Sequence, residues 1–249
     1  LRLGAGGICG SDIHYYYEGR NGSFIVREPL IPGHEASATV AAIGPGVARV
    51  KVGDKVAVSP SHACGWCEGC REGREQLCRN MRFMGSASLY PHVQGMFSEF
   101  FVLGERQCYP VAGDVTLGEL AFAEPLAVAL HAVHRGTDLI GKSVLITGAG
   151  PIGIMAAAVC RHVGARHIVI TDINDYRLEL CNQVTDAVTV NVSREDLKSV
   201  MQRIGMREGF DIGLEMSGAP KAFDQMTDHI IMGGKIAMLG IPSLPVPVD

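Results

Sequence analysis

The 249-residue chain changes texture near its middle. Up to about Tyr109 its apolar runs are short and broken by glycine and proline. Residues 36–43, small and β-branched, run into the turn Gly44-Pro45-Gly46, and 55–58 and 97–103 are further strand candidates. Leu1-Arg2-Leu3 reads as the end of a strand already under way. This half predicts an irregular antiparallel β domain. Residues 117–135 keep helical spacing with Pro125 as the main breaker, which predicts a helix bridging the halves. From Lys142 onward, five short apolar runs (144–147, 167–171, 187–190, 210–214 and 235–239) alternate with stretches of helical length such as 154–163 and 194–204. That alternation predicts a parallel sheet covered by helices on both faces. The fold class is α/β, with the domains placed at 1–115 and 116–249.

Composition narrows the function classes. Apolar residues make up 47% and charged residues 19%, enough to build a core and exclude wholesale disorder. The net charge is −4, so nothing drives nucleic-acid binding, and no polybasic run suggests an anionic membrane surface. The longest uncharged apolar stretch, 143–160, is interrupted by Gly148, Gly150, Pro151 and Gly153, which reads as strand, loop and helix rather than a membrane span. No signal-peptide pattern opens the chain, so a cytoplasmic location is expected.

Four of the eight cysteines, Cys64, Cys67, Cys70 and Cys78, follow C-x2-C-x2-C-x7-C. Four thiolates on one loop suit a closed tetrahedral zinc site, which is structural because no position stays open for chemistry. Disulfides and an iron–sulfur cluster are the alternatives; the spacing is near that of a ferredoxin, but Arg79 stands where the ferredoxin run has proline.

Val144-Leu145-Ile146-Thr147 leads straight into Gly148-Ala149-Gly150-Pro151-Ile152-Gly153, and Asp172 ends the next apolar run. A strand, a G-x-G-x-x-G turn, a helix and an acid about 20 residues on form the dinucleotide-binding pattern. Gly148 allows the tight turn, Gly150 admits a pyrophosphate at the helix N-terminus, and Gly153 lets helix and strand pack closely. Asp172 would accept from the adenosine ribose hydroxyls and repel a 2′-phosphate, favouring NAD over NADP. Glycines serving packing alone are the plainer alternative.

Cys9-Gly10-Ser11-Asp12-Ile13-His14 and Gly33-His34-Glu35 hold a thiolate, an imidazole and a carboxylate, the donor types of an open zinc site. Spacing alone does not bring these segments together. Taken with Val52-Gly53-Asp54-Lys55-Val56, the four-cysteine lobe and the Gly148 turn, they resemble the zinc-dependent medium-chain alcohol dehydrogenase superfamily along essentially the whole chain.

That resemblance implies a GroES-like catalytic domain and a Rossmann domain, both shorter than in relatives. It implies two zinc ions per chain, with Cys9, His34 and Glu35 as catalytic-zinc ligands and Glu124 a direct or water-mediated ligand. By the same resemblance Ser11 and His14 form a proton relay, and Asp12 orients His34. Ile152, Asp172 and Arg177 match NAD contacts, and Leu239, Gly240 and Ile241 match the segment beside the nicotinamide. The implied partner is a small-molecule alcohol, and relatives are dimers or tetramers.

The halves point to different members of the superfamily. Gly7 to Tyr16, Met81 to Ser86 and Ala123 to Val128 resemble the L-idonate 5-dehydrogenase and sorbitol dehydrogenase type. Gly148 to Ala157, Asp175 to Leu180 and Gly213 to Pro220 resemble L-threonine 3-dehydrogenase. A fusion of homologues and a natural intermediate both fit. Because the catalytic half should choose the substrate, the expectation is oxidation of a secondary alcohol of a polyol or sugar acid to a ketone. Tyr15, Phe83 and His92 are the candidate cleft residues, and Arg82 or Arg20 would pair a substrate carboxylate. L-threonine oxidation is the alternative, and an inactive NAD-binding zinc protein is the reading from another class.

Overall fold

The computed structural model describes every residue except Thr137, 243–246, 248 and 249. The chain divides into two compact units, Leu1–Glu124 and Pro125–Asp249. This division lies past the expected boundary at 115/116 because helix Leu117–Ala121 packs on the strands of the first unit.

In the first unit the chain runs β1 (Arg2–Gly7), α1 (Gly10–Glu18), β2 (Arg20–Asn21), β3 (Phe24–Ile25), β4 (Glu35–Thr39), β5 (Lys55–Val58), β6 (Ser61–His62), α2 (Glu68–Arg71), β7 (Arg82–Phe83), β8 (Cys108–Pro110) and α3 (Leu117–Ala121). The main sheet has the order β1-β4-β5-β8 and is antiparallel throughout, as expected. Small residues Ala36, Ser37 and Ala38 are buried along β4, where bulk would keep α3 off the sheet; Ser37 Oγ donates to Leu117 O at 2.5 Å. Val40, Val56, Val58, Met96 and Phe101 complete the core.

Two strand expectations need correction. The strand begun at 36 ends at Thr39, after which Val40 turns its N–H and carbonyl to the Gly53–Asp54 turn instead. Residues 97–103 form no strand. A tight turn puts Ser98 N–H on Met96 O at 2.8 Å and breaks the pleat, leaving Leu3 N–H to Glu99 O and Phe101 N–H to Leu1 O as irregular links beside β1.

The stretch 117–135 is two helices, α3 and α4 (Ala123–Arg135). Pro125 does not break α4 because it sits in the first turn, where its missing N–H has no intrahelical acceptor anyway. The second unit continues with β9 (Ser143–Thr147), α5 (Pro151–His162), β10 (His167–Asp172), α6 (Asp175–Val184), β11 (Val188–Asn191), α7 (Leu197–Arg203), β12 (Phe210–Glu215), α8 (Pro220–Thr227) and β13 (Ile230–Met238). All five strands are parallel in the order β11-β10-β9-β12-β13. Alternate strand residues feed opposite layers: Val144, Ile146, Ile168 and Ile170 pack with Ala129, Val133, Ile154 and Ala157, while Leu145 and Val169 pack with Leu197, Val200 and Met226. This is a doubly wound sheet whose direction of winding reverses at β9. Among the described residues no helix is long and apolar enough to cross a membrane.

Candidate active site

Strand pairing assembles the first cluster. The β1–β4 register sets Gly7 opposite Glu35, and a side chain at Gly7 would strike the Glu35 carboxylate. Two residues on, Cys9 caps α1. Buried Asp12 ties the pieces together: Oδ2 accepts from Cys9 N–H at 3.0 Å and Oδ1 from Gly33 N–H at 3.1 Å. Ligand atoms of Cys9, His34 and Glu35 consequently lie within 4.8 Å of one another. Nδ1 of His34 is buried without a hydrogen bond and faces Asp12 Oδ1 at 3.7 Å, beyond hydrogen-bond length.

Electrostatics mark the corner as short of positive charge. Burial pushes the Cys9 thiol up; hydrogen bonds with Ser11 oppose this, and the charges of Glu35 and Asp12 add to it. Burial also raises Glu35, against the opposing His34. Glu124, in the first turn of α4, stands outside the three-residue cluster, and burial raises it to about 7, with His34 opposing and Glu35 adding. Three acids driven toward their protonated forms around an imidazole fit a divalent cation, which restores thiolate and carboxylate. Thiolate, imidazole and carboxylate together are zinc's donors.

Ser11 lines a cavity of about 390 Å³ with His34, Tyr15, Phe83, Ser86 and Arg79. Its relay partner of the sequence reading, His14, lies one turn further on α1, half-exposed, with Nδ1 3.0 Å from Glu18 Oε1. Tyr15 and Phe83 are cavity residues as expected, and His92 is not. His92 is buried, its Nε2 accepting from Arg27 N–H at 2.9 Å and its Nδ1 2.7 Å from Leu89 O, so it fastens loops. Arg82 and Arg20 do not line the cavity either, and Arg20 Nε is spent on Gly22 O. Arg79, which sequence reasoning passed over, does. Its only sequence signal was its place directly after the fourth lobe cysteine.

That lobe is preformed. All eight cysteines are free, and the sulfurs of Cys64, Cys67, Cys70 and Cys78 lie within 4.8 Å of one another, with Cys67–Cys70 at 3.5 Å and Cys64–Cys70 at 4.0 Å. A tetrahedron of Zn–S bonds has edges of roughly 3.8 Å, between those two values. Backbone N–H groups of Cys70 and Arg79 hold the Cys67 thiol below its ordinary value.

In the second unit the glycine turn joins β9 to α5 at the winding reversal. Gly148 has φ +94°, and a side chain there would crowd Ser217 N. A Cβ on Gly153 would lie on the Gly148 carbonyl, whereas one on Gly150 meets nothing within 4 Å. The fold therefore demands Gly148 and Gly153 but leaves open room at Gly150, above the N-terminus of α5, as a cradle for phosphates would. Ile152 packs on the core. Asp172 Oδ2 accepts from Ala149 N–H at 2.8 Å, and Oδ1 from the N–H groups of Ile173 and Asn174. Its side chain is 7% exposed, so most of its acceptor capacity anchors the turn, and Arg177 Nη1 stands 3.7 Å away.

A second anchor was not foreseen. Glu215, fully buried at the end of β12, accepts from Thr147 Oγ1, Ser217 N and Gly218 N. Its carbonyl receives the N–H groups of Leu239 and Gly240, which brings the segment ending at Ile241 to the same carboxyl edge of the sheet as Gly148.

Comparison with known proteins agrees with this layout. Residues 1–113 match the model of the alcohol dehydrogenase GroES-like domain, and 151–249 match that of zinc-binding dehydrogenases. An L-threonine 3-dehydrogenase of Shewanella baltica (strain OS185) is 46% identical over 242 residues, covering 97% of this chain and 69% of the relative. The crystal structure of L-idonate 5-dehydrogenase from Escherichia coli superposes with a TM-score of 0.88 at 35% identity, covering 98% of this chain and 70% of that one. A zinc-binding dehydrogenase structure from Sinorhizobium meliloti 1021, bound to NADP, has a TM-score of 0.86 at 27% identity, covering 100% of this chain and 71% of that one. With an antiparallel domain carrying both cysteine-bearing clusters and a doubly wound domain carrying the glycine turn, the chain belongs to the zinc-dependent medium-chain alcohol dehydrogenase superfamily.

Proposed function

We propose that the chain oxidises the secondary hydroxyl of L-threonine, using NAD and a zinc ion held by Cys9, His34 and Glu35, with Glu124, whose carboxyl feels the charges of His34 and Glu35, as the next acid outward. The observation that carries this reading is 46% identity to L-threonine 3-dehydrogenase across 97% of the chain, catalytic half included. It reverses the preference drawn from the motifs of the first half. Oxidation of a polyol or sugar acid is the second reading, favoured by the likeness to L-idonate 5-dehydrogenase and by Tyr15 and Phe83 on the cavity wall.

When bound, zinc supplies Lewis acidity toward the alcohol and the nicotinamide supplies the oxidant. The chain's own residues position and deprotonate. Ser11 lines the cavity beside His34 and takes the proton leaving the alcohol. His14, on the same helix face and open to water, returns it to solvent. Asp12 keeps Cys9 and His34 in register through the backbone. Because Nδ1 of His34 faces Asp12, Nε2 would be the nitrogen that holds the metal. A second zinc in the four-cysteine lobe is structural. At the other unit the N-terminus of α5 over Gly150 would hold the pyrophosphate, and the acceptor capacity that Asp172 keeps beyond the turn, with Arg177 beside it, would face the ribose. A carboxylate in that place repels a 2′-phosphate, which favours NAD.

The test is NAD and NADP reduction by zinc-loaded protein offered L-threonine, L-idonate and sorbitol side by side. Preference for L-threonine with NAD is expected. Preference for L-idonate or sorbitol would transfer the assignment to the second reading.

A further inference from the structure

We infer that Arg79 forms a carboxylate-binding subsite in the cavity it shares with Ser11 and His34, so that the four-cysteine lobe contributes to substrate recognition as well as to folding. This rests on the function proposed above, since it names the group that would hold the acid end of the substrate.

The cavity wall carries one permanent charge. Apart from Arg79, His34 and Cys78, its lining is neutral: Ser11, Tyr15, Asn21, Ser86 and Ser88 with apolar Phe24, Met81, Phe83, Leu89 and Gly85. Among the described residues no carboxylate lines it. Within the lining an anionic substrate group therefore meets a single guanidinium, and the acid nearest to it, Glu68, lies outside the lining. The guanidinium is only partly used. Its Nη2 donates to Glu68 Oε2 at 3.2 Å, an exposed pair of little worth, and a guanidinium has five N–H donors in a fork matched to a carboxylate.

The lobe sets its place. Arg79 follows Cys78 directly, and its backbone N–H donates to the Cys67 sulfur. Closing the four sulfurs on one ion therefore fixes the point from which the side chain projects. Tyr15, also in the lining, is oriented by Ala87 N–H, which donates to its hydroxyl at 3.2 Å, and Ser86 Oγ lies 3.4 Å from that hydroxyl. A substrate carrying a hydroxyl and a carboxylate would thus be gripped at both ends, the hydroxyl beside Ser11 and His34 and the carboxylate at Arg79.

Three variants test this: Arg79→Gln, Arg79→Lys and Glu68→Gln, each checked for two zinc ions per chain. Kinetics and calorimetric binding are measured with L-threonine and with L-threoninol, which lacks the carboxylate. Arg79→Gln should weaken L-threonine by about 2- to 5-fold in KM or Kd, as for a guanidinium that stays largely open to water, and leave L-threoninol unchanged. Arg79→Lys should restore part of the loss. Glu68→Gln should shift L-threonine the other way, because it removes the carboxylate that competes for the guanidinium. Equal effects on both ligands, or none on L-threonine, overturn the subsite. If the unaltered protein prefers sorbitol to L-threonine, the proposed function fails instead, and the carboxylate comparison is decided with L-idonate against sorbitol.

Discussion

Gly150 and Gly153 sit three residues apart and have opposite reasons for being glycine. At Gly153 a methyl group would meet the Gly148 carbonyl; at Gly150, with φ −74°, it would meet nothing. Gly153→Ala is therefore expected to lower the melting temperature. Gly150→Ala should leave stability within about 0.5 kcal/mol, as an unobstructed substitution does, yet weaken NAD by tenfold or more, read by calorimetry. Normal NAD affinity in Gly150→Ala would show that the open space is not a phosphate cradle. Glu215 makes the complementary case, an acid whose work lies in anchoring backbone. Glu215→Ala leaves the N–H groups of Ser217 and Gly218 without their acceptor, at about 0.5–1.5 kcal/mol each because water reaches both. Urea denaturation should show Glu215→Gln less damaged, because one acceptor oxygen remains.

Among the elements, α3 begins with a reciprocal cap. Thr116 Oγ1 accepts from Glu119 N–H at 3.1 Å, and Glu119 Oε2 accepts from Thr116 N–H at 2.8 Å. Thr116→Ala should cost about 1 kcal/mol at neutral pH. The Thr116 backbone N–H, then its hydroxyl, holds the Glu119 carboxyl below its usual 4.5. A depressed acid stabilises the fold above its unfolded pKa, and that contribution fades as pH falls through the folded one. The gap between Thr116→Ala and the unaltered protein, measured as urea midpoints, should therefore narrow between pH 7 and pH 3. A constant gap would mean that the bond from the Thr116 hydroxyl to the Glu119 carboxylate contributes nothing, since the backbone N–H bond survives in Thr116→Ala.

For the whole molecule the metal count separates the two clusters. Two zinc ions per chain are expected by elemental analysis. His34→Ala should reduce this to one, abolish activity and leave the melting temperature near its original value. Cys67→Ser should also reduce it to one but lower the melting temperature, because an incomplete tetrahedron loses metal-binding free energy that is also folding free energy. Identical behaviour of the two variants would contradict one open and one closed site.

What the sequence could reveal by itself was whatever depends on near neighbours. The lobe cysteines lie within fifteen positions, so one loop brings them together, and the Gly148 turn is read from a strand and a helix that adjoin it. The parallel sheet was equally legible, since strands buried on both faces stand out as apolar runs such as Val144 to Ile146. Its runs 144–147 and 210–214 fell within one residue of β9 and β12 at each end. The short strands of the first unit were less clear: Cys108–Pro110 is three residues long and carries no period, and 97–103 looked like a strand until a bend at Ser98 broke it. Tertiary structure alone decided the catalytic cluster. Cys9 and Glu35 are joined by a β1–β4 register and by one buried carboxylate, and neither can be inferred from spacing. It also decided which polar side chains face the cavity. His92 and Arg79 are equally polar on paper, but backbone groups claim both nitrogens of the first, while the second lines the cavity with Ser11 and His34.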